Sequence, residues 1–72
     1  MTPVKIETEV AGTVWKIIAA AGATLSAGDV ILIMESMKME IPIEAPRAGL
    51  LREVRVAEGD VLSEGDVVAV IE

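Results

Sequence analysis

Seventy-two residues, 53% of them hydrophobic, with a single aromatic and neither Cys nor His, make one domain near the lower size limit for an unstapled core. They exclude disulfides, thiolate metal sites and a conventional zinc site. A formal charge of −6 with six scattered cations argues against nucleic acid or an anionic membrane as partner, because phosphate contacts need clustered Lys and Arg.

The chain opens Met1-Thr2-Pro3-Val4-Lys5-Ile6-Glu7, without the basic segment and apolar run of a secretory leader, so a cytoplasmic chain is expected. Val4 and Ile6 alternate with Lys5 and Glu7, the period of a strand with one wet face. Trp15, among the apolar residues Val14 and Ile17, reads as core. The Ala-rich stretch from Ile17 to Ala21 reads as strand followed by turn. The longest charge-free span, Ile17 to Gly28, is shorter than the roughly 18 to 20 residues that cross a bilayer. "VILIM", ending at Met34, and "VVAVI", ending at Ile71, are continuous apolar runs rich in β-branched residues and read as buried strands. "REVRV" (52–56) alternates again. Between these lie turn signals at Ala21-Gly22, Ala27-Gly28-Asp29, Glu58-Gly59-Asp60 and Glu64-Gly65-Asp66, where Gly tolerates positive φ and Asp bonds nearby backbone. Met1 and the end at Glu72 fit a complete chain.

Sliding the sequence over itself by 37 positions aligns its halves without a gap. Gly12 meets Gly49, Gly22 meets Gly59, the segment Leu25-Ser26 meets Leu62-Ser63, Gly28-Asp29-Val30 meets Gly65-Asp66-Val67, and Glu35 meets Glu72. A repeat of this kind is one supersecondary unit used twice, each copy covering the other's apolar face. Eight short strands, four per copy, predict an all-β flattened barrel or sandwich with a quasi-twofold axis. The copies are 4–35 and 41–72.

One segment has no copy: Ser36 to Glu40, "SMKME". Strand patterns on both sides make it a hairpin tip, with Lys38 at the turn and, by the quasi-twofold relation, at the opposite end from the termini. A solvated charge is the ordinary reading of such a Lys. Turns favour Gly, Asn, Asp or Pro, however, whereas here Met37 and Met39 flank the Lys and place flexible, polarizable apolar area in solvent. One of the two could instead tuck inward; Met34 counts as core. Glu35 and Glu40 read equally as a solvated rim or as partner recognition.

Glu35-Ser36-Met37-Lys38-Met39-Glu40 resembles the attachment motif of biotin carboxyl carrier proteins and biotinyl domains, whose usual tetrapeptide is Ala-Met-Lys-Met. "EAPRAG" (44–49) and the closing "EGDVVAVIE" (64–72) are also similar to that family, so the resemblance covers nearly the whole chain. It implies a barrel-sandwich of two four-stranded antiparallel sheets. Ser36 stands where Ala is usual and resembles short, free-standing biotin/lipoyl attachment proteins. The uninterrupted repeat leaves no room for the "thumb" that some bacterial acetyl-CoA carboxylase carriers insert between Gly12 and Gly22.

The resemblance further implies that Lys38 is biotinylated by a biotin protein ligase, with Glu35, Ser36, Met37, Met39 and Glu40 in ligase or partner recognition. It implies that the arm moves a carboxyl group from a biotin carboxylase to a carboxyltransferase of an enzyme such as acetyl-CoA carboxylase, the chain itself being a non-catalytic subunit and a monomer when isolated. The alternative is a lipoyl carrier, or a dual biotin/lipoate acceptor, in 2-oxo acid dehydrogenase or glycine cleavage chemistry; lipoyl domains typically show Asp-Lys-Ala at the tip. An unmodified β interaction module comes third. A stand-alone enzyme is the poorest reading, for want of any acid, base and nucleophile constellation.

Overall fold

The computed structural model describes residues 3–72. Met1, on which Lys38 would fall in the repeat, and the chain start at Met1 lie outside the described residues. Eight strands follow one another: β1 (Val4–Glu7), β2 (Gly12–Ile17), β3 (Thr24–Leu25), β4 (Val30–Ser36), β5 (Met39–Glu44), β6 (Gly49–Val54), β7 (Val61–Leu62) and β8 (Val67–Ile71). They form two four-stranded antiparallel sheets, ordered β1-β8-β6-β3 and β5-β4-β2-β7. No helix occurs among the described residues, and so none is long and apolar enough to cross a membrane.

The expected quasi-twofold holds down to the register. Advancing the first sheet's strands by four numbers produces the second sheet. Val4↔Ile71 corresponds to Ile41↔Met34, Ile6↔Ala69 to Ile43↔Leu32, and Val14↔Met34 to Leu51↔Ile71. Even the bulges agree: β2 slips against β4 between Val14 and Lys16, and β6 slips against β8 between Leu51 and Glu53. The turns repeat as well. The Asp29 and Asp66 carboxylates accept hydrogen bonds from the Ser26 and Ser63 N–H groups at 2.9 and 2.8 Å. Gly28 and Gly65 take φ of 90° and 91°, a left-handed conformation that an L side chain strains to adopt.

The core lies between the sheets. Ile31, Leu32, Met34, Leu51, Val68 and Ile71 are its largest fully buried aliphatic side chains, together with Val14. The continuous runs are buried because β4 and β8 are interior strands that face core on one side and are flanked by strands on both edges. Pro42, by contrast, sits on β5, an edge strand where a missing N–H is tolerated.

Trp15 departs from its expected place. It is 49% exposed rather than core. The reason is its position beside the β2 bulge: Val14 points inward, and the extra residue opposite β4 carries Trp15 to the outer face.

Candidate functional site

The β4–β5 hairpin closes more tightly than the five-residue tip expected. Ser36 pairs with Met39, leaving Met37 and Lys38 as a two-residue turn. Both have positive φ, 51° and 66°, and they are the only described non-glycine residues that do. Paired left-handed residues are the signature of a type I′ turn, whose twist matches that of the flanking strands and which usually recruits Asn and Gly. Here Met and Lys bear the conformational cost, so the hairpin is over-determined by the strands below it.

Those strands hold it firmly. Below the turn, β4 runs through Met34, which is fully buried. Thr8, the one buried polar side chain among the described residues, lies against it, its hydroxyl 3.1 Å from Met34 Sδ. The same hydroxyl donates to the Val10 carbonyl at 2.7 Å and accepts from the Val10 N–H at 3.2 Å. On the other side of β4, Gly12 approaches so closely that a Cβ there would stand 2.7 Å from the Glu35 carbonyl oxygen and 3.2 Å from Ser36 Cβ. Gly12 is thus a packing requirement of the hairpin base.

The expected site residues all gather here. Lys38 is exposed at the tip; Met37 is 93% and Met39 65% exposed, so neither tucks inward. Glu35 and Glu40 sit directly opposite each other across β4 and β5, both exposed on the outer face. Like charges in that arrangement disfavour the sheet. Lys38 forms no ion pair among the described residues. A cleft of about 490 Å³ runs between the edges of β1 and β5, lined by Val4, Ile6, Ile41, Pro42 and Ile43, and none of residues 35–40 lines it. What the geometry offers is an accessible primary amine on a stiff, projecting support. Val4 pairs with Ile71, four residues along the chain from Thr8, which touches Met34.

Thr8 escapes the reading of the sequence, and Trp15 reads there as core. Thr8 could have been found from the repeat, where its counterpart is Ala45, so that a polar residue replaces a buried Ala. Trp15 could have been flagged in the same way, since its counterpart is Arg52.

A family model described as "Biotin-requiring enzyme" (biotin/lipoyl) matches residues 2–71. The chain is similar to the biotin/lipoyl attachment protein of Bacillus subtilis (strain 168), with 46% identity over 40 residues, 56% of this chain and 55% of that protein. It is similar also to the biotinylated protein TB7.3 homolog of Mycobacterium leprae (strain TN), 41% identical over 40 residues, 56% of each. The matched segment thus spans about half the length of these relatives. Among solved structures it superposes on part of the Kluyveromyces lactis urea carboxylase with a TM-score of 0.95 and 35% identity, covering 100% of this chain and 6% of that one. It superposes also on part of a single-chain, multi-domain long-chain acyl-CoA carboxylase, with a TM-score of 0.89 and 34% identity, covering 94% of this chain and 7% of that one.

Proposed function

This chain belongs to the biotin/lipoyl family, and on that premise we propose that it is a biotin carrier whose attachment residue is Lys38. The observation that carries the reading is the Met37-Lys38 turn, which holds a single lysine amine clear of the body on a support rooted in the core. The carboxylase neighbours support biotin over other acids, and the flanking methionines agree with them.

In attachment, the Lys38 Nζ attacks the acyl carbon of biotinyl-adenylate presented by a biotin protein ligase. The C–N amide bond forms, the C–O bond to the adenylate phosphate breaks and AMP departs, while the two protons that the nitrogen loses, one before attack and one after it, pass to the ligase and solvent. Among the described residues none forms an ion pair with Lys38, so the base is the ligase's to supply. The domain contributes position, and catalysis belongs to its partners. Bound there, biotin supplies carboxyl-transfer chemistry between a biotin carboxylase and a carboxyltransferase. The scaffold's role is to tether: a covalent arm on a rigid hairpin raises the effective concentration at each partner while letting the arm leave. The chain works as a non-catalytic carrier subunit, its copies 4–35 and 41–72 forming one domain.

The test is modification of the purified chain by a biotin protein ligase and, separately, by a lipoate ligase, each with its acid and ATP, read by intact mass and peptide mapping. A gain of biotin minus one water on Lys38 supports the carrier reading. A gain with lipoate alone moves the chain to oxidative acyl transfer, and no gain with either overturns carriage altogether.

A further inference from the structure

The repeat supplies an internal control for the surface. Two places related by 37 positions share backbone, register and bulge, so a side-chain difference between them is not demanded by the fold. On the outer face of the hairpin-bearing sheet Trp15 is 49% and Val61 81% exposed. Their counterparts on the other sheet are Arg52 and Thr24. Arg52 donates to the Glu72 carboxylate at 2.7 Å, whereas Trp15, in its place, cannot pair with Glu35, the counterpart of Glu72. One difference runs the other way, Leu50 answering Thr13.

These residues adjoin the hairpin. Val61 pairs with Thr13, Thr13 with Glu35, and Glu35 with Glu40, a single row across β7, β2, β4 and β5 at the base of the turn, with Trp15 two residues along β2. From strand spacings the row's far end, Val61, lies about 15 Å from Lys38. A standard protein interface of about 800 Å² per partner is a disc of about 16 Å radius. A protein that acts on the bare amine, with only the lysine side chain to span the gap, must bring its surface against the hairpin and therefore over this row. Once the long arm is attached, later partners need no such approach.

We infer that Trp15 and Val61, with Glu35 and Glu40, form the docking surface for the ligase that modifies Lys38. That partner presents an apolar depression rimmed by Lys or Arg, matching the exposed Trp and Val and the facing carboxylates. The inference rests on the carrier reading above. A second copy of this chain is a poor occupant, because its own net charge of −6 would meet the same acids.

The decisive variant is W15R/V61T, which installs the residues that the other copy already carries at these places. With the purified apo chain as substrate, the KM for ligase-catalysed biotinylation is expected to rise about tenfold, with kcat held within twofold. Unchanged KM in a chain that is modified normally overturns the docking surface alone. A wild-type chain that the ligase never modifies overturns the carrier reading, and the docking surface with it. Because Trp15 is the only Trp, 5-fluorotryptophan labelling of the wild-type chain serves as a second measurement independent of the variant's folding. Its single fluorine resonance is expected to shift or broaden on addition of unlabelled ligase, and a resonance that stays put while Lys38 is being modified overturns the inference. A wild-type dimer that W15R/V61T converts to monomer without a change in KM assigns the patch to self-association and overturns it likewise.

Discussion

The two copies of the repeat have one backbone and two surfaces. At the terminal end, Ala45 packs under the sheet and Arg52 pairs with Glu72. At the hairpin end the corresponding places hold Thr8 against Met34 and exposed Trp15. What stays constant is what the chain needs in order to fold: Gly12 and Gly49 at strand crossings, Gly28 and Gly65 with Asp29 and Asp66 in turns, and alternating aliphatics inside. Among what varies, Thr8 and Trp15 lie beside β4, the strand that leads to Lys38 in the segment without a counterpart. Within one small domain, then, twofold equivalence separates the demands of folding from those of recognition.

Substitutions at matched pairs can break that division. The largest effect is expected at the crossings: a Cβ at Gly49 would fall on the Glu72 carbonyl oxygen, and one at Gly12 would stand 2.7 Å from that of Glu35. Gly49→Val and Gly12→Val should each cost about 3 kcal/mol, measured by urea unfolding, and only Gly12→Val should also slow ligation in whatever fraction remains folded. Next come Gly28→Val and Gly65→Val, which have open space for a side chain but the wrong φ; each should cost about 2 kcal/mol, equal within error between copies. Thr8→Ala converts the hairpin end to the terminal pattern and should cost about 1 kcal/mol, whereas Ala45 has no hydroxyl to lose. Arg52→Ala breaks an exposed ion pair and should change stability by less than about 1 kcal/mol, with the difference shrinking in high salt. Least disturbed of all should be Lys38→Ala, within about 0.5 kcal/mol of the wild type by thermal unfolding.

Most of this architecture was legible in the amino acids. Gly, Asp and β-branched residues recurring at a constant offset define the strands and turns, and the segment with no copy points to the hairpin. The remainder depends on register. That Trp15 faces water follows from a bulge between Val14 and Lys16, and a bulge is a property of two strands paired, so the apolar neighbours Val14 and Ile17 misdirect the reading. The two-residue turn was similarly hidden, because Met37 and Lys38 are not residues that advertise positive φ; the Ser36↔Met39 pairing imposes it. Thr8 is legible only by comparison with Ala45, since a lone Thr after a strand resembles any turn residue.

The most direct test of the account is to map which of the three lysines, Lys5, Lys16 or Lys38, a biotin protein ligase acylates, using the wild-type chain and Lys38→Ala side by side under native conditions. One biotin per wild-type chain is expected, on the Lys38 peptide, and none on a Lys38→Ala chain that melts at the same temperature. Biotin on Lys5 or Lys16, or a Lys38→Ala chain that still gains the full mass, would contradict it.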